Sequence, residues 1–165
     1  MASRIDHRAQ FDRPVADVFQ ALSEDTVLRA RLDLLGGKHG ALPEHSKDDN
    51  GVRYKLVQGI GAEQLPQAVR TLHSGDLIVH REQQWTRSGE GYAGTATAHV
   101  NGVPGEITAR TELVSDGEGS VLRTIGEVKV RIPLFGAKLE SVIAEQVTKL
   151  LEAEAQFTRR WLSEH

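Results

Sequence analysis

Apolar and polar residues alternate along two segments in the first half of the chain. In residues 3–11, Ile5, Ala9 and Phe11 share one face, and the residues between them are mostly charged or polar. A period of two residues is typical of a β-strand with one buried face. Residues 52–60 show the same alternation. The pattern therefore predicts two half-buried strands.

A helical period separates these two strands. Pro14 suits the first turn of a helix, and apolar residues recur after it every three to four positions. Ser23 is expected to cap a second short helix, which Gly36 and Gly37 end. We expect residues 38–51 to be irregular or to form a short edge strand.

Residues 77–132 predict four strands joined by three hairpins. Clusters of turn-forming residues occur at 88–91, 101–105 and 116–119. One face stays consistent across all four strands when the chain is folded about these turns, and a slip of one residue would destroy that agreement. The predicted pairs include Trp85 with Gly94, Arg81 with Ala98, Val100 with Ile107, Ala98 with Ala109, Gly94 with Leu113, Thr111 with Thr124, and Glu112 with Arg123, the last as a cross-strand ion pair.

The last strand runs through residues 133–136 into one long amphipathic helix, at about residues 137–162. Small residues fill the centre of the sheet face that this helix must cover. Either the helix packs closely against them, or a cavity remains for a ligand. The small residues are Gly94, Ala96, Ala98, Ala109, Thr111, Thr124 and Gly126.

Two polar residues, Arg81 and Gln83, fall on this inner face, and Glu154 leans toward the apolar stripe of the helix. A buried arginine must be paired. One interpretation is an internal ion pair between Arg81 and Glu154, or an Arg81 that reaches solvent at the sheet edge. The other is that Arg81 binds the carboxylate or phosphate head of an apolar ligand. His7 and Gln58 are further polar candidates on this face.

The composition narrows the classes of function. The chain has 165 residues, no cysteine and a net charge of −3, with 39% hydrophobic and 26% charged residues. These values predict one domain over residues 1–165, without disulfides, thiol catalysis or a basic surface for nucleic acids. The first residues are too polar for a signal peptide, and no apolar run is long enough to span a membrane. A cytoplasmic protein without integral membrane contact is expected.

Signals for catalysis, metals and cofactors are weak. His80, His99 and Glu82 fall near one another in the predicted register, but on the outer face, where a metal would lack shelter and supporting groups. No metalloprotease, nucleotide-binding or serine-hydrolase motif occurs. We therefore predict no metal site, no cofactor and no catalytic residue.

Five segments of the chain form recognisable motifs. They are Pro14-Val15-Ala16-Asp17-Val18-Phe19, Leu65-Pro66 before Gly75-Asp76-Leu77, Glu82-Gln83-Gln84-Trp85, Asn101-Gly102-Val103-Pro104-Gly105 and Ile132-Pro133-Leu134-Phe135-Gly136-Ala137-Lys138-Leu139-Glu140. The predicted elements follow the order of a strand, two short helices, antiparallel strands and a long final helix. With these motifs, this order resembles the helix-grip fold of the START-like (SRPBCC) superfamily, and within it the chain is similar to the family known as domain of unknown function 2505.

The resemblance implies an α+β fold whose curved antiparallel sheet wraps around the C-terminal helix, with a cavity between them. It implies that the protein binds or carries a hydrophobic or amphipathic small molecule, such as a lipid or a polyketide, and specifies neither its identity nor the oligomeric state. A cyclase- or hydrolase-type enzyme using polar groups in the same cavity, or a packed interaction module, are the alternatives. The predicted lining is Tyr54, Leu56, Val79, Arg81, Gln83, Trp85, Ala96, Ala98, Thr111, Val128, Phe135, Ile143, Val147 and Leu150.

Overall fold

A computed structural model describes residues 3–72 and 74–165; Met1 and Ala2, which begin the segment considered as a signal peptide, and His73 lie outside the described residues. The strands are β1 (Ser3–Phe11), β2 (Ala41–Lys47), β3 (Gly51–Ile60), β4 (Leu77–Ser88), β5 (Gly91–Val100), β6 (Gly105–Asp116) and β7 (Gly119–Val130). The helices are α1 (Val15–Ser23), α2 (Asp25–Leu35), α3 (Gln67–Leu72) and α4 (Gly136–Glu164), with short 3-10 turns at Gly37–His39 and Ala62–Gln64.

The seven strands of the described residues form one curved antiparallel sheet in the order β1-β7-β6-β5-β4-β3-β2. Helix α4 lies against β1 and β7, and both α1 and α2 contact α4. This confirms the predicted α+β helix-grip architecture. The segment 38–51 contains the edge strand β2, which pairs only with β3 in the described part of the sheet.

The predicted cap of the second helix is wrong. Ser23 is the last residue of α1, and Glu24, with extended backbone angles, separates α1 from α2. The buried hydroxyl of Ser23 instead donates a hydrogen bond to the carbonyl of Phe19, at 2.7 Å. A serine hydroxyl that bonds to the preceding turn of its own helix cannot cap the next one.

The predicted pairing is confirmed for two hairpins and wrong for the third. Trp85 faces Gly94 across β4 and β5, and the pairs predicted between β6 and β7 are also present. Between β5 and β6, however, Ala98 faces Ile107 and not Ala109. The turn is tighter than predicted, with the amide of Val103 donating to the carbonyl of Val100 at 3.1 Å. The shift is two residues, so every side chain stays on its predicted face.

The predicted ion pair between Glu112 and Arg123 does not form, although the two residues face each other. Arg123 pairs with Asp6 of β1, at 3.5 Å. Strand β1 flanks β7 on the other side, so Arg123 has two acidic neighbours on the outer face. Its guanidinium pairs with the acidic neighbour on β1, Asp6.

The buried apolar residues form two clusters. One surrounds Phe11, Leu28 and Trp85 and includes most of the apolar side chains of α1 and α2. The other contains Ile5, Val128 and the N-terminal half of α4. Buried polar residues of β3, β4, β6, β7 and α4 lie at the sheet face that both clusters cover.

Candidate functional site

Glu154 of α4 is the centre of a buried polar cluster. Its carboxylate accepts hydrogen bonds from Nη1 of Arg81 at 2.9 and 3.1 Å, and from Nε2 of Gln58 at 3.2 Å. A second guanidinium, Nη2 of Arg31 from α2, lies 3.6 Å from the same carboxylate. We call Arg31, Gln58, Arg81 and Glu154 the Glu154 cluster. The predicted pairing of Arg81 with Glu154 is therefore present.

The amphipathic pattern of each element brings these side chains together. Glu154 lies on the buried stripe of α4, between half-buried Leu151 and buried Thr158. Arg31 lies between Leu28 and Leu32 on the buried face of α2. Sequence reasoning missed Arg31, although its spacing of three residues from Leu28 places it on the apolar face.

The two arginines keep Glu154 ionised. Burial alone would raise the pKa of the Glu154 carboxyl, but the charges of Arg31 and Arg81 and the hydrogen bonds from Arg81 and Gln58 lower that pKa below its ordinary value. Burial likewise opposes the charge of Arg81, and Glu154 outweighs it, so the pKa of Arg81 is raised. Two guanidiniums share one carboxylate, which leaves the cluster with one positive charge in excess.

Several polar atoms of the Glu154 cluster have no hydrogen-bond partner among the described residues. These atoms are Nε and Nη2 of Arg31 and Oε1 of Gln58, all of them buried. Arg81 donates hydrogen bonds to the described residues only through Nη1, and its side chain is 16% exposed. A buried polar group without a partner costs about 1–3 kcal/mol. The cluster is therefore polar, charged and incompletely satisfied.

A second polar group lies beside the cluster on β4 and β6. Nε2 of Gln83 donates to the hydroxyl of Thr111 at 3.3 Å. Gly94 permits this contact, because a Cβ at that position would lie 2.6 Å from the Thr111 hydroxyl. Deeper in the first apolar cluster, Nε1 of Trp85 donates to the Tyr54 hydroxyl, which donates to the carbonyl of Leu22, both at 3.3 Å. Tyr54 and Trp85 are therefore paired with the protein itself.

A cavity of about 70 Å³ lies between the sheet and α4. Its polar side is formed by members of the Glu154 cluster and its neighbours, and its apolar side by β4, β5, β6 and α4. The lining residues are Ile5, Gln58, Val79, Arg81, Gln83, Ala96, Thr97, Ala98, Ile107, Ala109, Thr111, Thr124, Val147, Leu150 and Leu151.

The burial of α4 changes along its length. Leu139 and Ile143 near its start and Leu162 near its end are buried, but Val147 and Leu150 in the middle are only half-buried. On the sheet face opposite them, Ala96, Ala98 and Ala109 are half-buried as well, whereas Thr111 and Thr124 are buried. The helix therefore packs at both ends and leaves a gap in the middle.

The structure brings eight of the fourteen predicted lining residues to this cavity. Tyr54, Leu56 and Trp85 belong instead to the apolar cluster around α1 and α2. Val128 and Ile143 are packed in the other cluster. The eight are Val79, Arg81, Gln83, Ala96, Ala98, Thr111, Val147 and Leu150. Their role in binding stays a prediction.

The sixth residue outside the cavity lining, Phe135, precedes α4 and is 48% exposed. Its neighbour Leu134 is 97% exposed and has a φ of 72°, which leucine adopts only under strain. Glu140 holds the junction, because its carboxylate accepts a hydrogen bond from the amide of Val130 at 2.8 Å. The junction therefore turns the chain while its apolar side chains remain in solvent.

The histidines of the outer face do not assemble into a metal site with Glu82. The rings of His80 and His99 stack with centroids 4.9 Å apart, but Glu82 pairs with Lys55 at 3.1 Å. Residues 3–72 and 74–165 contain no group of three or more histidine, aspartate or glutamate side chains placed to hold a metal ion. None of the helices described here combines the length and the apolar character needed to cross a membrane.

Solved structures with the same architecture define the class of the fold. Norcoclaurine synthase from Thalictrum flavum superposes with a TM-score of 0.64 at 17% identity, covering 100% of this chain and 88% of that one. The same protein is also known in complex with dopamine and hydroxybenzaldehyde. The protein TTHA0849 from Thermus thermophilus superposes with a TM-score of 0.61 at 12% identity, covering 94% and 96% of the two chains. The chain has the START-like helix-grip fold.

The chain belongs to the family described as "Protein of unknown function (DUF2505)", whose model matches residues 6–162. The uncharacterized protein Rv0481c of Mycobacterium tuberculosis is 30% identical to it, over 99% of this chain and 98% of that relative. The resemblance deduced from the sequence segments is thus confirmed.

Proposed function

We propose that the protein binds a small hydrophobic or amphipathic molecule in the cavity between the sheet and α4. The observation that carries the proposal is the gap at the middle of α4, with apolar walls and a polar, charged side. Protein interiors are normally packed as densely as organic crystals. A gap with these walls is the usual form of a small-molecule site.

The volume limits how the molecule would bind. About 70 Å³ is room for a few water molecules, whereas ligand pockets usually measure ~300–1,000 Å³. One end of a ligand would fill this space. The rest would extend between half-buried residues such as Val79, Val147 and Leu151, or would require the middle of α4 to move outward. Norcoclaurine synthase has the same fold and is known in complex with two small aromatic molecules, which supports the proposal that this fold can hold a small molecule.

A wider depression on the opposite face of the sheet supports binding less well. It measures about 710 Å³, and charged residues such as Arg110, Glu112 and Arg123 line it. Most of its walls are solvent-facing strand residues, such as Gln84 and Thr95. An apolar ligand would bury little surface there.

The chemistry of the cluster favours binding over catalysis. A general acid or base works best with a pKa near the ambient pH. Burial raises the pKa of Glu154, but Arg31 and Arg81 lower it to below its ordinary value. Hydrogen-bond donors of Arg81 and Gln58 already occupy the carboxylate. Gln83 and Thr111 bond to each other and carry no charge. His7 contacts Glu152 at 2.7 Å and is not part of the cavity lining. The enzyme alternative therefore gains no specific support from the described residues.

The test combines two measurements on the full chain. Native mass spectrometry of protein purified from its own host asks whether a small molecule accompanies it. Titration with the uncharged fluorescent probe N-phenyl-1-naphthylamine then measures binding to the emptied protein. We expect a bound molecule in the first measurement and saturable binding in the second.

A matched pair of variants locates the binding. Ala98→Leu adds three carbon atoms to the cavity wall, and Ala93→Leu makes the same change on the outer face of the same strand. We expect Ala98→Leu to weaken probe binding at least tenfold and Ala93→Leu to leave it unchanged. Equal binding by both variants, or no binding by the parent protein, would contradict the proposal.

A further inference from the structure

We infer that the molecule bound in this cavity is a monocarboxylate, whose head binds at Arg81, next to Gln58, and whose apolar body lies between β4, β5 and α4. This inference rests on the proposed function and adds the chemical class of the ligand. Three observations support it: the charge of the Glu154 cluster, its unpartnered atoms and the apolar walls beside it.

The first observation is that the Glu154 cluster carries one positive charge in excess. Arg31 and Arg81 both direct a guanidinium to the single carboxylate of Glu154, at 3.6 and 2.9 Å. Arginine does not lose its proton under ordinary conditions, and Glu154 contributes one negative charge. One positive charge remains in a buried place, where charges are ordinarily paired.

The second observation is that Arg81 and Gln58 have hydrogen-bonding atoms without a partner in the described residues. Arg81 lines the cavity, and among the described residues only its Nη1 is engaged, so Nε and Nη2 are available as donors. Planar guanidinium donors match the two oxygens of a carboxylate. Oε1 of Gln58, in the same lining, is a buried acceptor without a partner in the described part of the chain. It suits a hydroxyl or a protonated group next to the head.

The size of the charge selects a carboxylate over a phosphate. A carboxylate carries one negative charge and balances the excess. A phosphate monoester carries about −1.5 to −2 at neutral pH and would leave the buried group negative.

The third observation is that apolar residues line the cavity beside Arg81. Val79, Ile107, Val147 and Leu151 lie in the same lining as Arg81. An alkyl or aryl body against these side chains strengthens binding with each methylene group that it removes from water. A carboxylate without such a body would lose this contribution, so acetate is not expected to bind well.

The experiment compares three ligands with one alkyl chain, by isothermal titration calorimetry on the full chain at pH 7. Octanoate tests the carboxylate, 1-octanol the apolar body alone, and octyl phosphate the competing anion. We expect octanoate to bind at least roughly tenfold more tightly than either of the other two, which corresponds to about 1.4 kcal/mol.

Two variants of α2 test the origin of the preference. Arg31→Met removes the excess charge without changing any residue of the cavity lining, and Arg29→Met makes the same substitution at an exposed position of the same helix. We expect Arg31→Met to abolish the preference for octanoate over 1-octanol, and Arg29→Met to keep it. The comparison of ligands in the parent protein decides the question even if Arg31→Met does not fold.

The outcomes separate the two proposals. Equal binding of octanoate and 1-octanol would overturn the carboxylate assignment and leave the proposed function intact. Tighter binding of octyl phosphate, or a preference that survives in Arg31→Met, would also overturn it. Failure of all three ligands and of the uncharged probe would refute the proposed function itself.

Discussion

Replacing Glu154 by glutamine tests whether its charge holds the interior together. The variant keeps the shape of the side chain and one oxygen that can accept a hydrogen bond. It removes the negative charge that lies 2.9 Å from Arg81 and 3.6 Å from Arg31. Both guanidiniums then remain inside the protein without a counter-charge.

The magnitude follows from these distances and from burial. Two unit charges about 4 Å apart attract by roughly 4 kcal/mol at an effective dielectric constant near 20. Removing one partner of a buried ion pair costs about 3–5 kcal/mol. Proteins of this size have a total stability of about 5–15 kcal/mol. We therefore expect Glu154→Gln to lower the free energy of unfolding by about 3–5 kcal/mol and Tm by roughly 6–20 °C.

The assay is urea denaturation followed by circular dichroism, with calorimetry for Tm. The control is Glu152→Gln, two residues earlier on α4, where a half-exposed carboxylate contacts His7 at 2.7 Å. This control should cost less than about 1 kcal/mol, because the Glu152 carboxylate is 49% exposed and solvent screens its charge. The double variant Arg31→Met/Glu154→Gln should be less destabilised than Glu154→Gln, because only Arg81 then lacks a counter-charge. Equal stability of Glu154→Gln and Glu152→Gln would refute the reasoning.

Two further predictions concern acid stability and the junction before α4. Burial raises the pKa of the Glu154 carboxyl, but Arg31 and Arg81 lower it more, so this pKa lies below its ordinary value of 4.5. The ionised carboxylate therefore stabilises the fold fully above pH 4.5, and this stabilisation is lost as the pH falls below 4.5. In urea titrations the stability difference between the parent and Glu154→Gln should therefore narrow below pH 4.5, and a constant difference would contradict this. Leu134 is 97% exposed with a φ of 72°, so Leu134→Gly should stabilise the protein by about 0.5–1 kcal/mol in thermal melts. Leu134→Ala should give no such gain, because alanine keeps the strained φ; equal gains would argue against backbone strain.

The elements and the faces of the sheet could be read from local pattern. Alternation along residues 77–132 placed Arg81 and Gln83 on the inner face, where the structure has them. Spacing along α4 placed Glu154 near its apolar stripe, and Glu154 is buried. These features depend on the period of one element, which neighbouring residues set.

The register of β5 and β6 could not be read in this way. A shift of two residues leaves every side chain on the same face, so the pattern does not distinguish Ala109 from Ile107 as the partner of Ala98. The length of the turn decides the register. That length depends on the backbone geometry at residues 101–104.

The candidate site shows the same division. Periodicity accounts for the sheet, the closing helix and the patch of small residues between them, because each is a property of a single element. It could not assign Arg31 to Glu154, since α2 and α4 meet only in the tertiary structure. The second arginine, which leaves the excess positive charge, and the gap of about 70 Å³ beside it both arise where α2, α4 and the sheet converge. Local sequence specifies which face a residue occupies, whereas the packing of distant elements decides which charges share a face and how much space remains between them.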